Sequence, residues 1–369
     1  MKAIGIILAG GNNDRLGVFT SSRALSAIPV GSCYRGLDFS LSNMTNSGIG
    51  KVAVITQYNS RSLHDHLGSS KWWDFGRKNG GLFVFSPYLS NENSFWYRGT
   101  ADSIYQNISY LRKSNEPYVV ISSGHTVYKM DFQHLLEDHE KTGADITIVY
   151  KETEREDSRD YGVLQFDADG RVIDLEEKPI EPATNLISTG IYVIQRTLLI
   201  KLLEAVISEG RYDFVKDILI RYRKKLKIIG YKFDGYWRAI NSIKSYYEIN
   251  MDFLNKEIRD EFTRQYPYIE TKPKDEPPAK YNYDAAARNC LVGSGSIING
   301  TVENSILFRK IFTGENSVIR NSIIAEGSYI GNHCVVEYAI IDKEVVLSDG
   351  KHLVGTLENP LCVPKGTVI

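Results

Sequence analysis

The sequence predicts an α/β domain with a mostly parallel sheet, followed by a left-handed parallel β-helix of hexapeptide repeats. Up to residue 255, short apolar runs alternate with amphipathic stretches, as in a parallel sheet that helices cover on both faces. Residues 266–278 hold four prolines and several charges, which is typical of an extended linker. Beyond it, a short motif recurs at a fixed spacing. We therefore expect the α/β domain at 1–258, the linker at 259–284 and the β-helix at 285–369.

The first predicted strand is Ala3–Ala9, and it runs directly into the loop Gly10-Gly11 with Arg15 four residues further on. Glycines let backbone N–H groups approach an anion closely, and an arginine adds a fixed fork of donors. Ligands of parallel sheets bind at the carboxyl ends of the strands, where this loop would lie. The loop predicts phosphate binding, although strand–glycine–helix turns are common.

The other elements of the first domain follow from apolar runs and helical periodicity. Predicted strands are Val52–Thr56, Tyr118–Ser122, Asp145–Val149, Gly190–Ile194 and Lys227–Tyr231. Predicted helices are Ile104–Lys113, Phe132–Thr142, Thr197–Glu209 and Ser242–Arg259.

Three further segments in this domain carry candidate ligand-binding residues. Gly99-Thr100 at a helix start suits a nucleobase or phosphate, or is only a helix cap. Lys178, held before Pro179, suits a sugar phosphate, or lies in an exposed turn. The segment 235–238 is either part of the same site or an aromatic edge strand.

The repeat region is predicted from a motif that recurs every 17 residues, at 303–307, 320–324 and 337–341. Apolar residues also recur at about every sixth position, at Val318, Ile324, Ile330 and Val336. This is the pattern of a β-helix with three short strands per coil and β-branched residues stacked inside. Glycines at 293, 295, 300, 314, 327 and 331 would supply corners. Because so short a stack leaves end coils exposed, we expect it to pack on the first domain or on another subunit.

Composition excludes several partners. The net charge of −1 favours neither nucleic acid nor an anionic membrane surface, and no apolar run approaches the ~20 residues of a membrane span. The four cysteines (33, 290, 334 and 362) form no CxxC pair, and no HExxH motif is present. We therefore expect reduced thiols and a cytoplasmic protein.

Taken together, the motifs resemble those of the glucose-1-phosphate adenylyltransferase family in the same order along the chain. The matching segments are Leu8–Leu16, Arg35–Asn43, Asn46–Ile49, Gly99–Asp102, Tyr128–Asp131, Glu177–Pro179, Gly190–Tyr192 and Tyr236–Arg238. The resemblance implies a Rossmann-like nucleotidyltransferase domain, and the reaction of ATP with glucose 1-phosphate to give ADP-glucose and pyrophosphate in glycogen biosynthesis.

The resemblance also assigns binding residues. Those implied for nucleotide and phosphate are Gly10, Gly11, Arg15, Gly99 and Thr100. Those implied for the sugar phosphate are Glu177, Lys178, Ser188, Gly190 and Asp213.

The sequence departs from the family where the metal would bind. The family holds Mg²⁺ with two aspartates, one in a Ser-Gly-Asp segment and one directly after Tyr-Trp-Arg. This chain has His125 and Ala239 at those positions, and Leu25 in place of a lysine near the triphosphate. Imidazole is a poor magnesium ligand and alanine is none. Asn13 also replaces a loop glycine, and Val215 replaces a glycine that would tolerate positive φ.

These departures predict a non-catalytic, regulatory subunit that needs no metal or other cofactor of its own. Its partner would be a catalytic homologue that carries the Mg²⁺, in a heterotetramer, with a phosphorylated sugar or a nucleotide as effector. The alternative hypothesis is an active sugar-1-phosphate nucleotidyltransferase with relocated metal ligands, for which Asp102, Asp131 and Asp213 are the candidates. A hexapeptide acyltransferase using His333, the only histidine within the repeats, is a third hypothesis.

Overall fold

The computed structural model describes residues 1–11, 14–76, 80–88, 96–154 and 157–369 of the chain, and Asn13 lies outside them. The strands of the first domain are β1 (Ala3–Leu8), β2 (Pro29–Val30), β3 (Tyr34–Arg35), β4 (Lys51–Ile55), β5 (Gly81–Phe85), β6 (Tyr118–Ser123), β7 (Thr126–Tyr128), β8 (Ile146–Glu152), β9 (Gly162–Phe166), β10 (Val172–Glu177), β11 (Leu186–Gln195), β12 (Ile228–Lys232) and β13 (Trp237–Ala239). Its helices are α1 (Gly36–Asn46), α2 (Arg61–Leu67), α3 (Thr100–Gln106), α4 (Ile108–Arg112), α5 (Phe132–Thr142), α6 (Arg196–Ser208), α7 (Ile243–Asp252) and α8 (Lys256–Thr263). None of the helices in the described ranges is long and apolar enough to cross a membrane.

A nine-stranded sheet forms the centre of this domain, with apolar cores on both faces. Its main path runs β10-β9-β11-β6-β1-β4-β5, and β8 pairs with β11 and β12. The β6-β1-β4-β5 half is parallel, as predicted, whereas β11 runs antiparallel to β6, β8 and β9. The carboxyl ends of β1, β4 and β6 therefore meet at one edge, which is where such sheets bind ligands.

Two of the predicted helices are each divided in two. The amide of Asn107 donates to the carbonyl of Ser103 at 2.8 Å and to the hydroxyl of Tyr97, and it separates α3 from α4. The side chain of Asn255 caps α8 by accepting from the backbone N–H of Glu257, and it separates α8 from α7. Both asparagines bond to nearby backbone and so compete with a continuous helix.

The second domain is a parallel β-helix with three faces of five strands each. The docked face consists of β16 (Leu291–Val292), β19 (Ile306–Leu307), β22 (Ile323–Ile324), β25 (Ala339–Ile341) and β28 (Leu361–Val363). The charged face consists of β15 (Ala286–Arg288), β18 (Thr301–Glu303), β21 (Val318–Arg320), β24 (Val335–Glu337) and β27 (His352–Val354). The open face consists of β14 (Lys280–Tyr281), β17 (Ile297–Ile298), β20 (Phe312–Thr313), β23 (Tyr329–Ile330) and β26 (Val346–Leu347).

The 17-residue motif forms one corner of each coil. Asn304, Asn321 and Tyr338 occupy equivalent corner positions with φ of 44°, 46° and 46°. Asparagine tolerates this left-handed conformation better than most residues, which explains its recurrence. The sixfold apolar pattern points inwards from Ile324 onwards, but Val318 is only partly buried and Ile319 takes the inward position.

The docked face packs on the first domain. Ile306, Ile323 and Ile340 share one apolar core with aromatic residues of α7. The hydroxyl of Tyr247 on α7 donates to the carbonyl of Asn321 at 2.7 Å. The expectation that the β-helix packs on the first domain is therefore confirmed. The first β-helix strand, β14, begins within the predicted linker, and α8 spans the predicted boundary at residue 258.

Candidate functional site

A cleft of about 220 Å³ lies at the edge where β1 and β4 end. Gly10 and Gly11 line one side of it, and Gly99 and Thr100 line the other. A Cβ on Gly99 would lie 2.4 Å from the carbonyl oxygen of Tyr212, so only glycine allows this approach. The structure thus brings together four of the five residues predicted to bind nucleotide and phosphate.

The first amides of α3 serve the fold itself. The N–H groups of Ala101 and Asp102 donate to the carbonyl of Tyr212 at 2.8 and 3.1 Å. The hydroxyl of Thr100 accepts from the N–H of Phe214 at 2.9 Å. These groups are already hydrogen-bonded within the protein. Gly99 and Thr100 line the cleft, and their contact with a ligand stays a prediction.

Arg15, the fifth predicted residue, forms an ion pair with the carboxylate of Asp160, 145 positions away in the chain. Both side chains are well exposed, at 62% and 40%. Exposed ion pairs contribute little free energy, about 0–1 kcal/mol, so a phosphate ligand can replace Asp160 at low cost. No local pattern in the sequence indicates this pairing.

Gly162 and Gly190 shape the region around Glu177 and Ser188, two of the residues predicted to bind the sugar phosphate. A Cβ on Gly162 would lie 3.1 Å from Oε2 of Glu177 and 3.7 Å from Cβ of Ser188, so its absence gives these side chains room beside the backbone of Gly162. Gly190 has φ of 75° within an irregular stretch of β11, and a Cβ on it would contact Cβ of Ser123 at 3.7 Å. No pattern in the sequence indicates this role of Gly162.

Charges in this region show that Glu177, Lys178 and Asp213 influence one another. Burial raises the pKa of Glu177 and Asp213 raises it further, while Lys178 and Lys216 act in the opposite direction. Burial, with the same two carboxylates, raises the pKa of Tyr192 to about 12, so its phenol stays neutral. Tyr192 belongs to the Gly190–Tyr192 motif, and its hydroxyl lies 3.4 Å from that of Ser188.

The two positions expected to hold metal-binding acids lie on neighbouring stretches of backbone, one directly before β7 and the other at the end of β13. Ala239 pairs with Thr126, and the N–H of Ile240 donates to the carbonyl of His125 at 3.0 Å. Nδ1 of His125 lies 2.7 Å from Oγ of Ser123, and Asn241 also bonds to the imidazole. Burial and the charge of Lys178 lower the pKa of His125 to about 4, so the ring is neutral at pH 7.

The residues at these positions do not fit Mg²⁺. This cation prefers oxygen ligands from carboxylates, and here it would meet a neutral imidazole and the methyl group of a buried alanine. Leu25, at the position of the family's lysine, is 5% exposed and packs in the core with Phe19 and Ile28. Val215 begins a helical turn and is absent from the left-handed region.

The candidate ligands of the alternative hypothesis do not assemble. Asp102 is held by Arg98 and Gln106, Asp131 caps α5, and Asp213 accepts from the N–H of Lys216. Within the described ranges, no group of three or more His, Cys, Asp or Glu residues is placed to hold a metal ion. His333 is an exposed corner residue of the β-helix with φ of 56°.

Buried neutral histidines make stability depend on pH. Burial lowers the pKa of His139 to about 4, like that of His125, whereas an unfolded histidine titrates near 6.5. The unfolded chain therefore binds more protons than the folded one, and stability falls as pH drops from about 6.5 towards 4. We expect each histidine to cost about 2 kcal/mol in unfolding free energy between pH 7 and pH 5.

Urea unfolding at both pH values tests this expectation with His139→Asn, whose amide can replace Nδ1 opposite Thr147. This variant should lose about 2 kcal/mol less than the wild type on acidification. His134→Asn is the matched control, because His134 is 72% exposed and should not alter the difference. Equal losses in the wild type and His139→Asn would contradict the assignment.

Known proteins resemble this chain over both domains. Residues 4–256 match the family model described as nucleotidyl transferase, and residues 277–358 match that of the GlmU-like C-terminal hexapeptide. The glucose-1-phosphate adenylyltransferase of Bacillus mycoides (strain KBAB4) is 37% identical over 352 residues, which cover 95% of this chain and 94% of that protein. The enzyme of the same name from Bacillus cereus (strain ATCC 10987 / NRS 248) is 36% identical over the same shares.

Proposed function

The chain belongs to the glucose-1-phosphate adenylyltransferase family, and from that premise we propose that it is a non-catalytic regulatory subunit acting in glycogen biosynthesis. The observation that carries the proposal is the pair His125 and Ala239. Their backbones are neighbours at the positions where the family's chemistry needs carboxylates, and Leu25 is buried in the core. The residues predicted to bind nucleotide and sugar phosphate, from Gly10 to Asp213, match those of the family.

A chain of this kind acts through a partner. The transferred phosphoryl group gathers negative charge that Mg²⁺ offsets, so catalysis would take place in a homologous subunit that retains both aspartates. We propose a heterotetramer of the two chains in the cytoplasm. The regulatory chain would change the turnover of its partner by contact, and binding of an effector would be allosteric only if it altered that turnover or affinity.

A basic pocket between the two domains supports the proposal of a phosphorylated effector. It has a volume of about 210 Å³, and its walls include Asp65 and Glu326. Its basic residues outnumber these acids and are Arg35, Lys272, Lys274, Arg309 and Lys343.

After the ion pairs within this pocket are formed, basic side chains remain that can donate hydrogen bonds to an anion. Burial alone would raise the pKa of Glu326, but hydrogen bonds from Lys274 and Lys343 outweigh it and lower the pKa to about 2. Glu326 is therefore ionised and occupies those two lysines. Arg309 makes no ion pair with any residue of the described ranges and is the natural donor to a phosphate.

An activity titration tests the proposal. A catalytic family member from the same organism is held at fixed concentration, this chain is added, and ADP-glucose formation is measured with and without glucose 6-phosphate as a probe. Removing one electrostatic stabiliser typically costs about 10²–10³-fold in rate, so the chain alone should be slower than its partner by at least that factor. Adding it should change the partner's rate and its response to the probe.

Matched variants separate the parts of the proposal. Arg309→Ala should abolish the response to the sugar phosphate, and Arg320→Ala on the charged face should preserve it. If the purified chain makes ADP-glucose alone at the rate of a catalytic homologue, and Asp213→Ala abolishes this, the alternative hypothesis of relocated ligands is correct. A partner rate that the chain does not change would refute a regulatory role.

A further inference from the structure

The walls of the basic pocket between the two domains come from four parts of the chain. One is the β-helix, and the others are the β2–β3 hairpin with Arg35, helix α2 with Asp65 and His66, and the linker segment 270–274 with Lys272 and Lys274. The linker segment is therefore a wall of the pocket as well as a connection between the domains. The contacts that hold these parts together decide where the basic groups of the pocket lie.

One buried carboxylate contacts all three of the parts outside the β-helix. Asp38 lies in the first turn of α1 and is 0% exposed. Its Oδ2 accepts from the backbone N–H of Arg35 at 2.9 Å and from the hydroxyl of Thr271 at 2.5 Å. Its Oδ1 lies 2.6 Å from Nε2 of His66, a side chain that is also buried. Because a carboxylate only accepts, this nitrogen of the imidazole carries the hydrogen.

The linker segment is held at the same place by further contacts. The carbonyl of Glu270 accepts from Nε1 of Trp73 at 3.0 Å. The ring of Trp73 packs nearly edge-on against that of His66, with centroids 5.3 Å apart. Two residues after Glu270, Nζ of Lys272 donates to the carbonyl of Asp65 at 2.9 Å. An ammonium group has three donors, so Lys272 keeps donors for a ligand.

A helix cap alone does not require the contacts of Asp38. As the third residue of α1, it completes the capping box of that helix with the bond from the N–H of Arg35. Its bonds to Thr271 and His66 reach residues 233 and 28 positions away in the chain. Hydrogen bonds to a charged group are roughly twice as strong as neutral ones. Asp38 therefore holds the hairpin, α2 and the linker segment in one fixed relation.

We propose that Asp38 and His66 position the linker segment so that Lys272 and Lys274 lie in the pocket where the effector binds. The proposal rests on the proposed function, because it concerns the effector pocket of a regulatory chain. Asp38 acts through the lysines and does not have to touch the ligand. Without its bond to Thr271, the effector would have to order the linker segment on binding, and this cost would lower its affinity.

Thr271→Val tests the proposal, because it removes the hydroxyl that bonds to Asp38 and keeps the branched shape of the side chain. Isothermal titration calorimetry should show the affinity for glucose 6-phosphate falling about three- to tenfold. Without ligand, trypsin should cleave after Lys274 faster than in the wild type. Thr263→Val is the matched control, because this exposed threonine of α8 donates only within its own helix and should alter neither measurement.

Two further measurements separate positioning from a general loss of stability. His66→Gln keeps a donor for Asp38 and should retain more affinity than His66→Leu, which has none. In a Lys272→Ala/Lys274→Ala background, Thr271→Val should lower the affinity no further, because its effect passes through these two lysines. A variant that only loosens the fold would lower the affinity in that background too. Circular dichroism confirms that each variant is folded.

The outcomes distinguish this proposal from the proposed function. A wild type that does not bind glucose 6-phosphate refutes the effector pocket, and the positioning role with it. If the wild type binds and Thr271→Val binds equally tightly, only the positioning role is refuted. Equal losses in His66→Gln and His66→Leu refute the part of His66, and a further loss in the lysine-free background shows that Thr271→Val acts on the fold in general, which also overturns the proposal.

Discussion

Replacing both His125 and Ala239 by aspartate is expected to make this chain bind a divalent cation more tightly than the wild type does. The backbones at the two positions are neighbours, because Ala239 pairs with Thr126 and the N–H of Ile240 donates to the carbonyl of His125, so the change puts two carboxylates on adjacent segments of the chain. Mg²⁺ in nucleotide-processing enzymes is typically held by one or two carboxylates together with substrate phosphates. The added carboxylates should therefore act only when a nucleotide is present.

The measurement is Mn²⁺ binding followed by electron paramagnetic resonance, with and without ATP, together with ADP-glucose formation. We expect the double variant His125→Asp/Ala239→Asp to bind Mn²⁺ in the presence of ATP. Its metal-dependent turnover should exceed that of the wild type by at least about tenfold. Leu25, buried where the family has a lysine, limits the recovery, so the rate should remain below that of a catalytic homologue.

The uncharged pair His125→Asn/Ala239→Asn is the matched control, because it has the same shape and offers no carboxylate. It should bind Mn²⁺ no better than the wild type. A wild type that already binds Mn²⁺ with ATP as tightly as the double variant would contradict the view that the metal site has been lost. In that case the ligands must come from residues other than these two positions.

The sequence predicts an element accurately where residues that begin and end such an element stand at its two ends. Helix α5 runs from Phe132 to Thr142 as predicted, because Asp131 caps its start and Gly143, with φ of 59°, ends it. The corners of the β-helix were predicted less exactly, since only Gly295 and Gly327 of the six predicted corner glycines have positive φ, and Asn304 and Asn321 take the same conformation. At α5 a few neighbouring residues decide where the helix begins and ends.

Features that depend on distant pairing could not be predicted from these patterns. The apolar run of β11 is equally compatible with parallel and antiparallel pairing, and only its neighbours decide for the latter. The ion pair of Arg15 with Asp160 joins residues 145 positions apart. The site residues were located through a family resemblance, and their mutual contacts, such as that of Glu177 with Gly162, appeared only in three dimensions.

The ion pair between Arg23 and Asp342 joins the two domains and is expected to be the most sensitive single contact in the chain. Its atoms pair at 2.8 Å (Nη1 to Oδ1) and 2.9 Å (Nη2 to Oδ2), and the side chains are only 7% and 1% exposed. Removing one partner of a buried pair leaves an uncompensated charge, which typically costs about 3–5 kcal/mol. We therefore expect Asp342→Ala to lower the free energy of unfolding in urea by about that amount.

The control distinguishes a lost charge partner from lost packing. The double variant Arg23→Met/Asp342→Leu leaves no unpaired buried charge. It should recover most of the unfolding free energy that Asp342→Ala loses, because replacing a buried ion pair by apolar residues is often neutral or stabilising. A double variant as unstable as Asp342→Ala would show that the geometry of the pair, rather than its buried charge, holds the domains together.

The position of this ion pair also connects the stability of the chain with the proposed regulation. Arg23 lies two residues before Leu25, in the segment that follows the loop predicted to bind phosphate, and Asp342 directly follows β25 of the β-helix. The pair is one of the contacts that join the two domains, together with the docked face and α7, so its part in coupling the basic pocket to the edge of the sheet can be tested. If the domains act as one regulatory unit, the recovered double variant should be stable but should respond less to glucose 6-phosphate in the activity titration. An unchanged response in that variant would place the coupling in the docked face and α7 instead.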